Sequence, residues 1–148
     1  MREIEFKNEI WDLIRLIAIE MDLVFRPIVE SHGLTMIQAR ILAGIQRCEL
    51  STVGSVGNAV GLSSGNASTM CKSLEKAGFI RRIRAPEDER FVKLVLTERG
   101  KETIGRIGAV FQEKYTPILQ EKTDQDFNTI IAGMKKLKEL IVEMGRVW

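Results

Sequence analysis

Apolar residues recur at steps of three and four along residues 4–30, which is the spacing of one face of an α-helix. The stripe consists of Phe6, Ile10, Leu13, Ile14, Ile17, Met21, Val24, Phe25 and Ile28. Its length predicts a long amphipathic helix. Pro27 lacks a backbone donor and lies near the end, so we expect it to disturb the last turn. Ser31, His32 and Gly33 should then end the helix.

Two shorter helices are predicted next. Thr35 and Gln38 have the spacing of a reciprocal capping box at the start of the first. Its expected buried stripe is Ile37, Ile41, Leu42 and Ile45. A hydroxyl at position 51 or 52 should cap the second helix, in which Gly54 and Gly57 each cost about 1 kcal/mol relative to alanine. Close packing against a neighbouring helix would explain both glycines.

Residues 64–77 predict a longer helix with two chemically different sides. The side expected to face the core carries Ala67, Met70, Cys71 and Leu74. The opposite side, here called the polar face, carries Ser64, Asn66, Ser68, Thr69, Lys72 and Ser73. It has a cation and short hydrogen-bonding side chains, with no carboxylate before Glu75. Such a surface suits a polyanionic groove.

Two β-strands are predicted after this helix, at 79–84 and 91–96, and the second alternates around Val92, Leu94 and Leu96. Gly78 should end the helix in a left-handed conformation. Residues 85–90 are polar and form a loop longer than a tight hairpin turn. A ribbon with such a loop has the geometry of a wing.

Two further helices are predicted, capped by Thr97 and by Thr123. We expect Pro117 to disturb the first of them. Their apolar positions are Ile104, Ile107, Phe111, Tyr115, Phe127, Ile130, Ile131, Met134, Leu137, Ile141 and Met144. Helices at both ends of the chain therefore carry strong apolar stripes, which are best buried against each other and against a second copy. This pattern predicts a homodimer.

Charge is unevenly distributed along the chain. The 148 residues are 45% hydrophobic, enough for one domain with a real core, and the net charge is only +2. Between Lys72 and Lys101, however, nine Lys or Arg stand against five Asp or Glu, a local charge of +4 that leaves −2 for the remainder. The positive charge is concentrated where the ribbon is predicted.

The cysteine and histidine content excludes several classes of site. Cys48, Cys71 and a single histidine form neither a disulfide framework nor recognisable metal-ligand spacing, so we predict no metal and no cofactor. No nucleophile paired with a base and no phosphate-binding glycine loop is evident, so we predict no enzymatic activity. No run approaches the roughly 18 apolar residues of a membrane span. We therefore expect a soluble cytoplasmic protein that contacts no membrane.

An ordered set of five motifs resembles the multiple-antibiotic-resistance regulator (MarR) family of winged helix-turn-helix transcription factors. The motifs are Leu34-Thr35-x-x-Gln38, TVGSVGNAVGLS at 52–63, Leu74-Glu75-Lys76-x-Gly78-Phe79-Ile80, Asp88-x-Arg90 and Leu96-Thr97-x-x-Gly100. No single motif is specific, but their spacing and the terminal helices extend the likeness over nearly the whole chain. The resemblance implies a mainly α fold with a β wing, and one MarR-type domain at 1–148. Within it, residues 34–100 would be the DNA-binding lobe, and 1–33 and 101–148 the dimerisation helices.

The same resemblance implies the residues that contact DNA. The polar face, which begins at Ser64, would enter the major groove, with Asn66, Ser68, Thr69 and Ser73 near base edges. Lys72 would lie near phosphate or a guanine edge. Asp88 would orient Arg90 into the minor groove, while Arg82 and Arg84 would support the strand or touch phosphate. Many relatives carry longer or basic side chains at positions 69 and 73, so base readout by Thr69 and Ser73 is expected to be weaker or water-mediated.

Blander interpretations of these residues remain open. Serine and threonine on an exposed helix are often merely solvated, and Arg90 could pair with Asp88 across a surface turn, a contact worth about 0 to 1 kcal/mol. Cys71 is expected to be a small buried hydrophobe and not a redox sensor.

A ligand-binding cleft is a further expectation from the resemblance, in which small aromatic or amphipathic ligands bind between the dimer helices and the DNA-binding lobe. Residues of the first two helices that could line it are Trp11, Arg15, Phe25, Ile28, His32 and Met36. The alternative is that the apolar members are ordinary dimer core.

The sequence thus predicts a DNA-binding transcriptional regulator. It would be a homodimeric repressor that binds a palindromic double-stranded operator and is released by a small-molecule effector. The strongest rival is a winged-helix module that binds proteins and not DNA, because winged folds also serve as docking domains.

Overall fold

The computed structural model describes residues 2–47, 49, 52–86 and 88–147, and the side chains at 85 and 88–91 lie outside this description. Helices and a two-stranded antiparallel sheet make up the described chain. In chain order they are α1 (Arg2–Glu30), α2 (Met36–Gln46), α3 (Val53–Val60), α4 (Ser64–Lys76), β1 (Ile80–Ala85), β2 (Asp88–Leu96), α5 (Glu98–Gln120) and α6 (Asp124–Gly145). The predicted class, mainly α with a β wing, is confirmed.

The chain divides into two compact units, residues 1–110 and 111–148. The core of the first unit lies between α2, α3, α4 and the sheet. Its most deeply buried side chains are Ile41, Leu42, Val56, Cys71, Leu74, Ile80 and Leu94. The last turn of α1 and the first half of α5 add Ile28 and Ile107 to this core. A small core of closely packed helices thus supports the winged lobe.

Capping groups set the helix starts where the sequence predicted them. Thr35 with Gln38, Thr52 with Ser55, and Thr123 with Asp126 all form reciprocal capping boxes. Neither proline ends its helix, because α1 continues through Pro27 and α5 through Pro117, and the expected disturbance of the turns beside them stays a prediction. At the end of α1 the helical pattern persists, since the Ser31 amide donates to the Pro27 carbonyl at 3.1 Å.

Two expected packing positions differ from the prediction. Ile37 is 36% exposed and lies outside the stripe of α2 that is buried. Gly57 is indeed tightly packed, because a Cβ there would lie 3.1 Å from the Leu62 carbonyl oxygen and 3.2 Å from the Ala67 Cβ. A Cβ at Gly54 would meet only the Thr52 hydroxyl, at 3.8 Å, so close packing explains one glycine and not the other.

The paired strands of the wing extend closer to its tip than predicted. Strand β2 begins at Asp88 rather than at 91, and the register between Arg84 and Ala85 shifts from a partner at Val92 to a partner at Asp88. The backbone of 89–91 is therefore an irregularity within β2 and not part of an open loop. Closer to the core the pairing is regular, and Ile80 lies opposite Leu96.

The terminal helices expose most of their apolar surface. In α1 only Ile28 and Val29 are buried, and α6 has no buried residue among those described. Trp11 is 72% exposed and Ile130 is 63% exposed. Within the second unit, the rings of Phe111 and Tyr115 lie 5.7 Å apart. Exposed stripes of this length need a partner surface in water.

Candidate nucleic-acid interface

The polar face of α4 is held outward by the packing of the opposite side. Ser63 caps the helix by accepting a hydrogen bond from the Asn66 amide at 3.3 Å. Ala67, Cys71 and Leu74 are fully buried, whereas Met70, expected in the same stripe, is only half-buried. Because these anchors fix the rotation of the helix, its other side faces solvent.

Most residues of the predicted DNA-contacting set on α4 lie together on this exposed side. The exposed members are Ser64, Asn66, Thr69, Lys72 and Ser73. Ser68 is half-buried and therefore offers less of its hydroxyl to a ligand. Lys72 is the cation of the group.

The C-terminal end of α4 is fixed by a glycine turn. The Phe79 amide donates to the Leu74 carbonyl at 3.0 Å, and the Gly78 amide donates to the Glu75 carbonyl at 2.9 Å. Gly78 has a φ of 79°, as this turn requires and as its position in the sequence predicted. The turn leads directly into β1.

The start of α5 contacts the same turn, at a place here called the α4–α5 joint (residues 77–79 and 97–100). The Thr97 hydroxyl donates to the Gly78 carbonyl at 2.6 Å and accepts from the Gly100 amide at 3.1 Å. Gly100 packs so closely on the Phe79 carbonyl that a Cβ would overlap the oxygen. The predicted cap at Thr97 is confirmed, and its hydroxyl serves two helices at once.

Arg99 is a residue of the joint that the sequence interpretation missed. Its Nη1 donates to the Ala77 carbonyl at 2.8 Å, and its guanidinium lies 4.7 Å from the centre of the Phe79 ring. Basic side chains are expected at the last carbonyls of a helix when they belong to its own last turn, and Arg99 lies far from that turn in sequence. Nothing in the local spacing identified which helix end it would reach.

Arg82 turns back toward α4. Its Nε lies 3.2 Å from the Glu75 carboxylate, and its side chain is 31% exposed. The buried Nε and Nη2 atoms of Arg82 make no hydrogen bond. Arg82 and Glu75 are therefore close enough for an ion pair but are not aligned for a hydrogen bond. This placement favours the supporting role suggested for Arg82 over phosphate contact.

The other wing residues are only partly described. Arg84 is exposed on β1, opposite Val92. Asp88 and Arg90 belong to the backbone of β2, but their side chains lie outside the described part of the structure. Their expected pairing and minor-groove contact therefore stay predictions.

The six residues expected to line an effector cleft fall into two groups. Phe25, His32 and Met36 are partly exposed near the junction of α1 and α2, whereas Ile28 is 4% exposed and belongs to the core. Trp11 and Arg15 lie closer to the N-terminus of α1, with Arg15 roughly 15 Å from Phe25 by helical rise. One protomer does not bring all six residues together.

His32 has a defined hydrogen-bond arrangement at this junction. Its Nδ1 lies 2.7 Å from the Ile28 carbonyl oxygen, which can only accept, so Nδ1 carries the proton. In a neutral ring the Nε2 atom is then left as an acceptor. A ligand hydroxyl or acid proton could donate to it.

Cys71 is a buried thiol beneath the polar face. Burial raises the pKa of Cys71 above its ordinary value, and the nearby Arg82 opposes this only in part. The reactive thiolate is therefore scarce at neutral pH, which fits the expectation of a packing residue. Cys48 lies outside the described residues.

Neither a metal-binding cluster nor a membrane-spanning helix occurs among the described residues. No three histidine, cysteine or acidic side chains there come together as a metal-binding group. None of the described helices is long and apolar enough to cross a membrane.

Comparisons with known proteins agree with this geometry. The family model for the transcriptional regulators SarA and Rot matches residues 23–107. The transcriptional regulator SarZ of Staphylococcus haemolyticus is 32% identical over 105 residues, covering 69% of this chain and 71% of that protein. S. aureus MarR in complex with salicylate and kanamycin is similar in fold, with a TM-score of 0.78 at 19% identity over 93% of both chains. The S. aureus MepR–DNA complex has a TM-score of 0.69 at 20% identity, covering 87% of this chain and 95% of that one.

Proposed function

Because the chain belongs to the SarA/Rot family of transcriptional regulators and is a DNA-binding regulator of the MarR type, we propose that the polar face of α4 reads the major groove. The wing then lies beside it on the phosphate backbone. Family membership decides against the two rivals, an enzyme and a winged docking module without DNA.

One observation carries the proposal: the polar face is exposed although the rest of α4 is anchored in the core. Five short or cationic side chains stand on it, and the first carboxylate along the helix, Glu75, is drawn toward Arg82 on β1. A duplex presents phosphates and base-edge donors and acceptors, which this chemistry matches. The nearby Arg84 is also exposed and extends the positive charge onto the wing.

Lys72→Ala is expected to weaken DNA binding and to reduce the slope of log affinity against log salt by about one unit. The reason is that a lysine on the polar face releases a counterion when it neutralises a phosphate. The measurement is fluorescence anisotropy with a duplex selected from a random pool. Arg40→Ala removes an exposed cation of α2, outside the polar face and outside residues 1–33 and 101–148, as the control. An unchanged slope for Lys72→Ala would remove that lysine from the interface.

The second part of the proposal is a homodimer. Exposed apolar stripes on α1 and α6 support it, because a second copy would cover surfaces of the same kind. A twofold dimer would present two copies of α4 to the halves of a palindromic operator. We therefore place the dimerisation surface in residues 1–33 and 101–148.

Sedimentation at micromolar protein concentration is expected to give a dimer, and Ile130→Asp to shift it toward monomer by placing a charge in an apolar contact. Ile130 is 63% exposed in the protomer, so its replacement leaves the fold of one chain intact. Asn128→Asp adds the same charge at an exposed polar position of α6. A wild-type monomer would contradict the dimer.

The third part is repression relieved by a small ligand. The related S. aureus MarR was solved with salicylate, and Phe25, His32 and Met36 provide aromatic, acceptor and apolar surface at the α1–α2 junction. A ligand that binds one spacing of the two α4 helices better than another shifts the population away from the DNA-competent form. Trp11 and Arg15 lie apart from these three residues, so they would line the same cleft only if a further surface joined the two groups.

Salicylate is the probe for this part. We expect it to weaken operator binding by the wild type and to have less effect on His32→Phe, because the variant has no ring acceptor. Titration of salicylate into the protein–duplex complex measures both. Equal effects on both proteins would exclude His32 from the ligand site, and no effect on either would exclude salicylate-like acids as effectors.

A further inference from the structure

Three successive backbone carbonyls, at the C-cap of α4 and in the turn that leads to β1, accept hydrogen bonds from the start of α5. Ala77 accepts from Arg99 Nη1 at 2.8 Å, Gly78 from the Thr97 hydroxyl at 2.6 Å, and Phe79 from the Thr97 amide at 3.0 Å. The Ala77 carbonyl is a helix-end group, which would otherwise depend on water or the next turn. The direction in which α4 ends is therefore set by α5.

Arg99 is the side chain of this joint that reaches farthest into α4. It combines a charged hydrogen bond to the Ala77 carbonyl with stacking over the Phe79 ring, and Phe79 itself is 5% exposed. Cations are favoured at helix C-termini because the carbonyl dipoles point there. The contact thus clamps the helix to a ring that belongs to the core.

We propose that Arg99 is a positioning residue for DNA recognition, which fixes the tilt of α4 and with it the polar face. This proposal rests on the proposed function of that face. Ser73 lies one turn from the clamp, and the Ala77 amide donates to the Ser73 carbonyl at 2.9 Å. Base contacts tolerate little displacement, so loosening the last turn of α4 misaligns Thr69 and Ser73 while leaving contacts to phosphate largely available.

Two other roles for Arg99 make different predictions. As a phosphate contact, it would contribute to operator and unrelated DNA alike and would add about one unit to the salt slope. If Arg99 only stabilised the fold, its replacement would lower DNA binding in proportion to the fraction of protein that is unfolded. A positioning residue instead lowers the ratio of specific to non-specific affinity in protein that is fully folded.

The experiment compares Arg99→Met, Arg99→Lys and the control Lys101→Met. Methionine keeps apolar packing over Phe79 but removes the donor and the charge, whereas lysine keeps a donor and the charge. Lys101 is exposed on the same turn and pairs with Glu98 at 2.9 Å, so its replacement removes the same charge without touching α4. Each protein is titrated against a selected duplex and a scrambled duplex of equal length, at several salt concentrations and well below the melting temperature.

Arg99→Met is expected to weaken binding to the selected duplex by about tenfold relative to Lys101→Met. Binding to the scrambled duplex and the salt slope should match those of the control. Arg99→Lys should lower the ratio of specific to non-specific affinity less than Arg99→Met does, because lysine can still donate to the Ala77 carbonyl.

Three outcomes would overturn the proposal. The first is a ratio of specific to non-specific affinity for Arg99→Met equal to that of Lys101→Met. The second is a salt slope of Arg99→Met reduced by about one unit for both duplexes. The third is a loss of binding that follows the unfolded fraction. If the wild type binds neither duplex at low salt, the proposed function fails instead, and the two failures are thereby distinguished.

Discussion

Replacing Gly100 with alanine is expected to destabilise the protein by about 3 kcal/mol or more. The Cβ would overlap the Phe79 carbonyl oxygen, which is backbone and cannot rotate away as a flexible side chain could. That oxygen also accepts from the Thr97 amide at 3.0 Å, so moving it would break the joint. Equilibrium unfolding in urea measures the change in the free energy of unfolding.

Gly105→Ala on the same helix is the matched control. Gly105 is exposed and a Cβ there would meet nothing within 4 Å, so alanine should stabilise the helix by about 1 kcal/mol through its higher propensity. The two substitutions add the same methyl group five positions apart and should have opposite signs. Equal effects would show that the approach of α5 to Phe79 is looser than described.

Replacing Thr69 with glutamate is expected to reduce operator affinity by at least about a hundredfold. Thr69 is exposed on the polar face, so a carboxylate there would meet phosphates and base acceptors without disturbing the core. Like charges brought together at an interface cost several kcal/mol. Anisotropy titration measures the loss, and a melting curve close to that of the wild type shows that the fold is retained.

Thr69→Gln separates charge from size at the same position. Glutamine has nearly the volume of glutamate but is neutral and can donate, so affinity should stay within about tenfold of the wild type while the preferred base changes. Similar affinity for Thr69→Glu and the wild type would place position 69 outside the interface. An equal loss in both variants would indicate a steric and not an electrostatic effect.

Local chemistry made much of this fold predictable from the sequence. Thr35 and Thr123 mark helix starts because a hydroxyl and a side-chain acceptor three residues later satisfy free amides in any context. Gly78 marks a helix end because left-handed backbone is strained for other residues. The periodicity of Ala67, Cys71 and Leu74 fixed which side of α4 is buried.

The structure differs from the predictions made from the sequence where contacts between distant parts of the chain determine the conformation. Pro117 removes one backbone donor, but the turns on either side sustain α5, so propensity at one residue did not end the helix. The irregular register beside Ala85 depends on cross-strand pairing, which the polar composition of 85–90 does not encode. Arg99 finds its partner 22 positions away, and no spacing rule covers that separation.

The polar face was predicted as a set, but its support was not. Periodicity identified the exposed side of α4, whereas the carbonyl contacts from Thr97 and Arg99 that hold its last turn follow from the packing of α5. The placement of Arg82 beside Glu75 likewise results from β1 folding back over the helix. The polar side of α4 can thus be recognised from the sequence, while the contacts that hold its last turn require the fold.

Amide chemical shifts of the labelled protein, recorded with and without a selected duplex, test the central claim most directly. We predict that the largest perturbations fall on Asn66, Thr69, Lys72 and Ser73, with further changes along β1. Perturbations confined to other basic residues, such as Lys135 and Lys138 of α6 and Arg146 at its C-cap, with α4 unchanged, would contradict the claim that the polar face reads DNA.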